Sequence, residues 1–130
     1  MRQSIKVPVA AGELIDKITI LEIKIARFRE ASKVANAQAE LNLLKQCRSE
    51  SLADIPALLA IEAHLKAVNE RIWDLEEAIR TCDRLQDFGP NFVTTARSIY
   101  LANDERAALK REINLATGSQ LIEEKSYATL

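Results

Sequence analysis

The sequence predicts an all-α fold, an antiparallel helical bundle organised round a long helical hairpin, and three observations carry that reading. Leu58, Ile61, Leu65, Val68, Ile72, Leu75, Ile79 and Cys82 recur at alternating steps of three and four, which places them on one seam of an α-helix. Phe88-Gly89-Pro90-Asn91 then interrupts the pattern with a turn, and a second amphipathic run follows. The composition, 48% hydrophobic with only 5% aromatic, three Gly and three Pro, gives an aliphatic, Ala-rich core that suits helices packed along their length. With 130 residues the chain is expected to form one helical domain spanning 1–130.

Residues 1–11 are expected to form an extended arm. Ser4 to Val9 alternate β-branched and other residues, and Pro8 confines such a run to an edge strand or an extended segment. With no second strand in the chain, the arm either lies along the helices or pairs with another copy. A first helix is predicted over 12–30, with Leu14, Ile18, Leu21, Ile25 and Phe28 on one face and Glu13 and Lys17 as an i,i+4 pair. Ile18 to Ile25 also fits a period of two, but the helical seam continues through it without turn residues.

Ser32 is placed to cap a second helix over 33–47, in which Val34, Ala37, Leu41 and Leu44 share a face, with fraying from Cys47 to Ser51. The long third helix, 55–87, starts at Pro56, where a missing N–H costs nothing, with Asp54 or Ser51 available as a cap. At 1.5 Å per residue it would run roughly 45 Å and so needs long partners. Gly89 is suited to a left-handed C-cap. The fourth helix, 91–117, has Phe92, Val93, Ala96, Ile99, Tyr100, Ala107 and Ile113 as apolar positions and ends at Gly118. The tail, 118–130, is either a short helix capped by Ser119 or extended.

Several functions are disfavoured. Eighteen basic and 19 acidic residues leave no net field to gather nucleic acid or an anionic membrane. No leader or apolar run of about 18 residues is present, so a cytoplasmic protein without membrane insertion is expected. Cys47 and Cys82 lack metal-ligand spacing, and His64, the single histidine, has no Glu three positions before it as di-metal bundles require. No phosphate loop or nucleophile motif is present. No metal or cofactor is therefore expected.

The residues able to carry chemistry are polar groups beside the hairpin seam. If Gly89 is the bend, Trp73 lies near Asp104 and Glu105, Glu76 and Glu77 lie near Tyr100 to Asn103, and Arg80 lies near Arg97. Trp73, Glu76, Arg80, Arg97, Tyr100 and Asp104 thus form a candidate cluster. Charge beside a helical seam is costly unless paired, so the cluster is either a set of flanking salt bridges or a pocket in which the arginines hold an anion.

Three stretches carry a resemblance. Val7-Pro8-Val9 with Gly12 to Lys24 forms one. Asn69, Ile72-Trp73-Asp74, Glu76 and Ile79-Arg80 form the second. Ala96 to Tyr100, Asn103-Asp104, Arg106, Lys110-Arg111, Ile113-Asn114, Gly118-Ser119 and Glu123 to Tyr127 form the third. Together they resemble an uncharacterised bacterial family of small helical proteins, a domain of unknown function, in which Ala10 stands where a capping Ser is expected. That resemblance implies a domain boundary and no catalytic residue. Leu14, Ile15, Asp16 and Ile18 also resemble the opening of the all-helical chorismate mutases, with no counterpart in the third helix.

The expectation is a self-associating helical interaction or scaffold module, a homodimer with room for a further protein partner, with the sequence leaning away from an enzyme without deciding it. The alternative is a helical bundle that binds or transforms a small anion between its third and fourth helices.

Overall fold

The computed structural model describes residues 4–119 together with 121 and 124. Four helices make it up: α1 Ala11–Arg27, α2 Ala31–Ser51, α3 Pro56–Arg84 and α4 Pro90–Thr117. The all-α expectation holds, with α3 and α4 as the long hairpin, and no strand occurs among the described residues. Ser4 to Ala10 form neither helix nor strand and are largely exposed, with Ile5 at 89% and Ala10 in extended backbone. Expectations for residues 1–3 and for most of the tail lie outside the described residues.

Local differences from the sequence reading have identifiable causes. Helix α1 stops at Arg27 because Phe28 turns to extended backbone, where its ring meets Trp73 of α3 with centroids 6.1 Å apart. Helix α2 runs on to Ser51 instead of fraying near Cys47. Half-buried Arg48 bonds Glu62 of α3 and also reaches Asp54, which fastens the end of the helix. That charge-assisted contact supplies what the local sequence lacks.

The helix ends differ too. Ser32 lies inside α2 and caps nothing, and α3 begins after Ile55 with Pro56 in its first turn, as the position of the proline predicts. In the hairpin turn the left-handed residue is Gln86, at φ 56°, while Gly89 sits at φ −81° as the residue before α4. Asp87 N–H bonds Cys82 C=O and Gln86 N–H bonds Asp83 C=O, the paired bonds of a Schellman ending. Helix α4 ends the same way, with Gly118 at φ 67° and Ser119 N–H on Asn114 C=O.

Helix α1 is the hub. It packs against α2 on one side and against both α3 and α4 on the other, while α3 and α4 share the longest contact. Ala11 and Ile15 join Leu58, Leu65, Val68, Leu109 and Ile113 in one core cluster, and Leu14, Ile18 and Leu21 join Ala37 and Leu41 in a second. A helix buried on two faces must be apolar most of the way round, which is why its sequence also fits a period of two. Each fully buried Ile or Leu here contributes about 1.5–3 kcal/mol by transfer from water.

The core occupies only the half of the hairpin remote from the turn. Beyond Asp74, Cys82 is the sole buried residue of α3, and no α4 residue before Ala102 is buried. The last ten residues of α3 therefore project roughly 15 Å as a two-helix finger.

Candidate functional site

The six residues picked from the sequence do not converge. Arg80 Nη1 bonds Glu76 Oε2 one turn earlier on α3, at 2.5 Å, and both side chains are substantially exposed. Trp73 looks away from α4. Its indole meets the Phe28 ring at a tilt of 56°, lies under the Arg27 guanidinium at 5.8 Å, and donates Nε1–H to Glu77 Oε1 at 2.9 Å. Arg27 in turn bonds Asp74. Arg97 and Tyr100 are exposed, Asp104 is half-buried, and Arg97 forms no ion pair with any described residue.

The register explains this. Because the bend centres on Gln86 instead of Gly89, Glu105 meets Arg71 and His64, not Trp73. The Arg71 hydrogen bond is the main reason that the Glu105 carboxyl is held below the usual carboxylate range, with burial opposing it.

The finger carries the exposed apolar surface. At the turn, Leu85 is 72% and Phe88 52% exposed, although the Phe88 ring meets the Phe92 edge at 5.4 Å. On α4, Val93 is 52% exposed, and Tyr100 and Leu101 are also open to solvent. Val93, Arg97 and Tyr100 recur at four and three residues, so they share one stripe of α4, with Leu101 at its border. That stripe flanks the seam made by Phe92, Ala96 and Ile99, all half-buried.

A separate polar cluster lies inside the core, where α1, α3 and α4 meet. Asp16, 1% exposed, accepts Arg106 Nε–H on Oδ1 at 3.0 Å and Arg106 Nη2–H on Oδ2 at 2.5 Å, a bidentate pair. Asn69 Nδ2 donates to Asp16 Oδ1 and to Thr19 Oγ1, each at 2.9 Å. Lys110 Nζ lies 2.7 Å from Glu13 Oε2 and 3.9 Å from Asp16 Oδ2. Every buried side-chain polar atom among the described residues has a partner.

Next to this cluster, Gly12 N–H donates to Asn114 Oδ1 at 2.6 Å and Ala11 N–H to Ser119 Oγ at 3.3 Å. Ala10 cannot cap α1, so the end of α4 does. The approach is so close that a Cβ on Gly12 would lie 2.3 Å from the Lys110 carbonyl oxygen.

Among the described residues no group of three or more His, Cys, Asp or Glu is placed to hold a metal ion, and no helix is long and apolar enough to cross a membrane. A family model described as a family of unknown function (DUF6165) matches residues 5–130. The chain belongs to the DUF6165 family. No curated protein and no solved structure matches it.

In this DUF6165 chain Gly12, Glu13, Asp16, Thr19, Asn69, Arg106, Lys110, Asn114 and Ser119 all meet around the α1 hub. Sequence reasoning did not assemble them. Asp16 and Thr19 lie inside the apolar stretch of α1, beside Ile15 and Ile18, and a polar pair three residues apart in such a stretch is the signal that could have marked them. With its polar atoms mutually satisfied, the cluster joins three helices in one fixed arrangement.

Proposed function

We propose that the protein is a self-associating helical module whose association surface is the end of the α3–α4 hairpin. The observation that carries this reading is the two-helix finger, which leaves Leu85, Phe88, Val93, Tyr100 and Leu101 exposed beyond the reach of α1 and α2. A two-helix segment buries one seam only, and contiguous exposed apolar residues beside that seam mark an interaction surface. The end also carries a cation, Arg97, and a carboxylate, Asp87, that make no ion pair among the described residues, so a second copy supplies charge of the right sign. The exposed arm, with Ile5, Val7 and Val9, adds a second surface of the same kind.

An anion pocket between α3 and α4 is less well supported, because Arg80 is engaged by Glu76 on its own helix and does not join Arg97. Sedimentation of the intact chain across the micromolar range tests the proposal. A concentration-dependent dimer is expected, and Val93→Asp is expected to abolish it while leaving helicity unchanged and melting equal to that of the wild type at concentrations where the wild type is monomeric. A monomer at tens of micromolar refutes it.

A further inference from the structure

We propose that the occupant of the hairpin end is the same end of a second copy, lying antiparallel across a twofold axis near Val93, with Asp87 of each protomer against Arg97 of the other. This deepens the association proposed above and rests on it. A twofold contact must be self-complementary, each residue i that meets j being matched by j meeting i.

The exposed residues have that symmetry. Leu85 and Phe88 lie on the turn side of Val93, and Tyr100 and Leu101 lie about the same number of residues on the other side. Reversing one copy about Val93 sets Val93 on its own mate, and Leu85 and Phe88 against Tyr100 and Leu101. On α4, Tyr100 stands roughly 10 Å and Arg97 roughly 6 Å along the axis from Val93. By residue count the same reversal brings Arg97 level with Gly89, two residues from Asp87, whose Oδ1 accepts the Gly89 N–H at 3.2 Å and makes no ion pair among the described residues, so the long Arg97 side chain can reach it.

Charge selects this register over the obvious competitor. A twofold axis at Arg97 would also pair apolar residues, Val93 with Leu101, but would face the two guanidiniums directly, with no acid between them. The remaining charges of the finger do not change the choice. Arg80 is paired with Glu76, Arg84 donates to Thr81 Oγ1, and Asp83 makes no ion pair among the described residues.

The test is sedimentation equilibrium on the full chain with single and double charge reversals. Arg97→Glu and Asp87→Arg are each expected to weaken dimerisation by about tenfold or more, and the double variant to recover to within about threefold of the wild type. Both side chains are exposed, so matching melting curves confirm that each single variant remains folded. Independently, Val93→Cys in a Cys47→Ser background is expected to form a disulfide-linked dimer on mild oxidation, while Leu115→Cys, exposed at the opposite end of α4, is not. A wild-type dimer that ignores both reversals, a double variant as weak as the singles, or equal cross-linking at position 115 overturns the register and leaves self-association standing. A wild-type monomer overturns both.

Discussion

Removing the Arg106 guanidinium probes the packing of the α1 hub most directly. Arg106→Ala deletes both N–H···O bonds to a carboxylate that is 1% exposed and anchored on a helix that cannot move without disturbing two core clusters. Leaving a buried charge without its partner costs about 3–5 kcal/mol. Two features reduce that here. The Lys110 ammonium remains 3.9 Å from Asp16 Oδ2, and the Arg106 side chain is 29% exposed, so water screens part of the lost attraction. The expected loss is about 2–4 kcal/mol, read by urea unfolding at neutral pH. For a chain of this length each kilocalorie shifts the melting temperature by roughly 3–5 °C, so melting falls by about 10 °C. Arg80→Ala serves as the exposed control, with an expected change of about 0.5 kcal/mol or less. A double-mutant cycle of Arg106→Ala with Asn69→Ala should give a coupling of about 0.5–3 kcal/mol, since both donate to Asp16 Oδ1. A loss no larger than that of the Arg80 control, with no coupling, would refute the claim that these residues act as one network.

Gly12→Ala should destabilise by about 3 kcal/mol or more in the same assay, because the new methyl would overlap the Lys110 carbonyl, a backbone atom that cannot step aside without moving α4. Gln86→Gly should raise stability by up to about 1 kcal/mol, since the residue holds φ 56° at the end of α3; an unchanged or lower melting temperature would count against a strained turn. The Arg71 bond lowers the Glu105 pKa, so its contribution is present above the ordinary carboxylate pKa and is lost as pH falls through the lowered, folded value. After discounting for exposure, Arg71→Ala should cost about 0.5 kcal/mol at neutral pH and nothing in acid; a penalty that survives full acidification would show that packing, not charge, carries it.

The heptad spacing from Leu58 to Cys82 and the Gly-Pro turn were enough to read α3, α4 and their antiparallel pairing, because helical period and punctuation are local properties. The left-handed residue of the turn lies three positions before the glycine that the sequence points to. Glycine is the usual left-handed residue, yet Gln86 takes that role and Gly89 is the residue before the next helix, so every cross-hairpin pairing built on Gly89 shifts, Trp73 with Glu105 first among them. The interior polar cluster was out of reach for another reason. Asp16 meets Asn69 and Arg106 across 53 and 90 residues of sequence, and one chain's spacing gives no information about which distant residues face each other. The end of α2 shows the same limit, since what prevents fraying is Glu62, on another helix.

The capping of α1 by Asn114 and Ser119 bears on the order in which the molecule is made. Synthesis proceeds at about 5–20 residues per second, so the first helix waits several seconds for the groups, 102 and 108 residues downstream, that satisfy its opening amides. During that wait α1 and α2 can form only a loose pair, with Asp16 lacking both Asn69 and Arg106. The N-terminal third should therefore remain protease-sensitive on the ribosome until α4 emerges, and the protein should become resistant in one late step and not helix by helix.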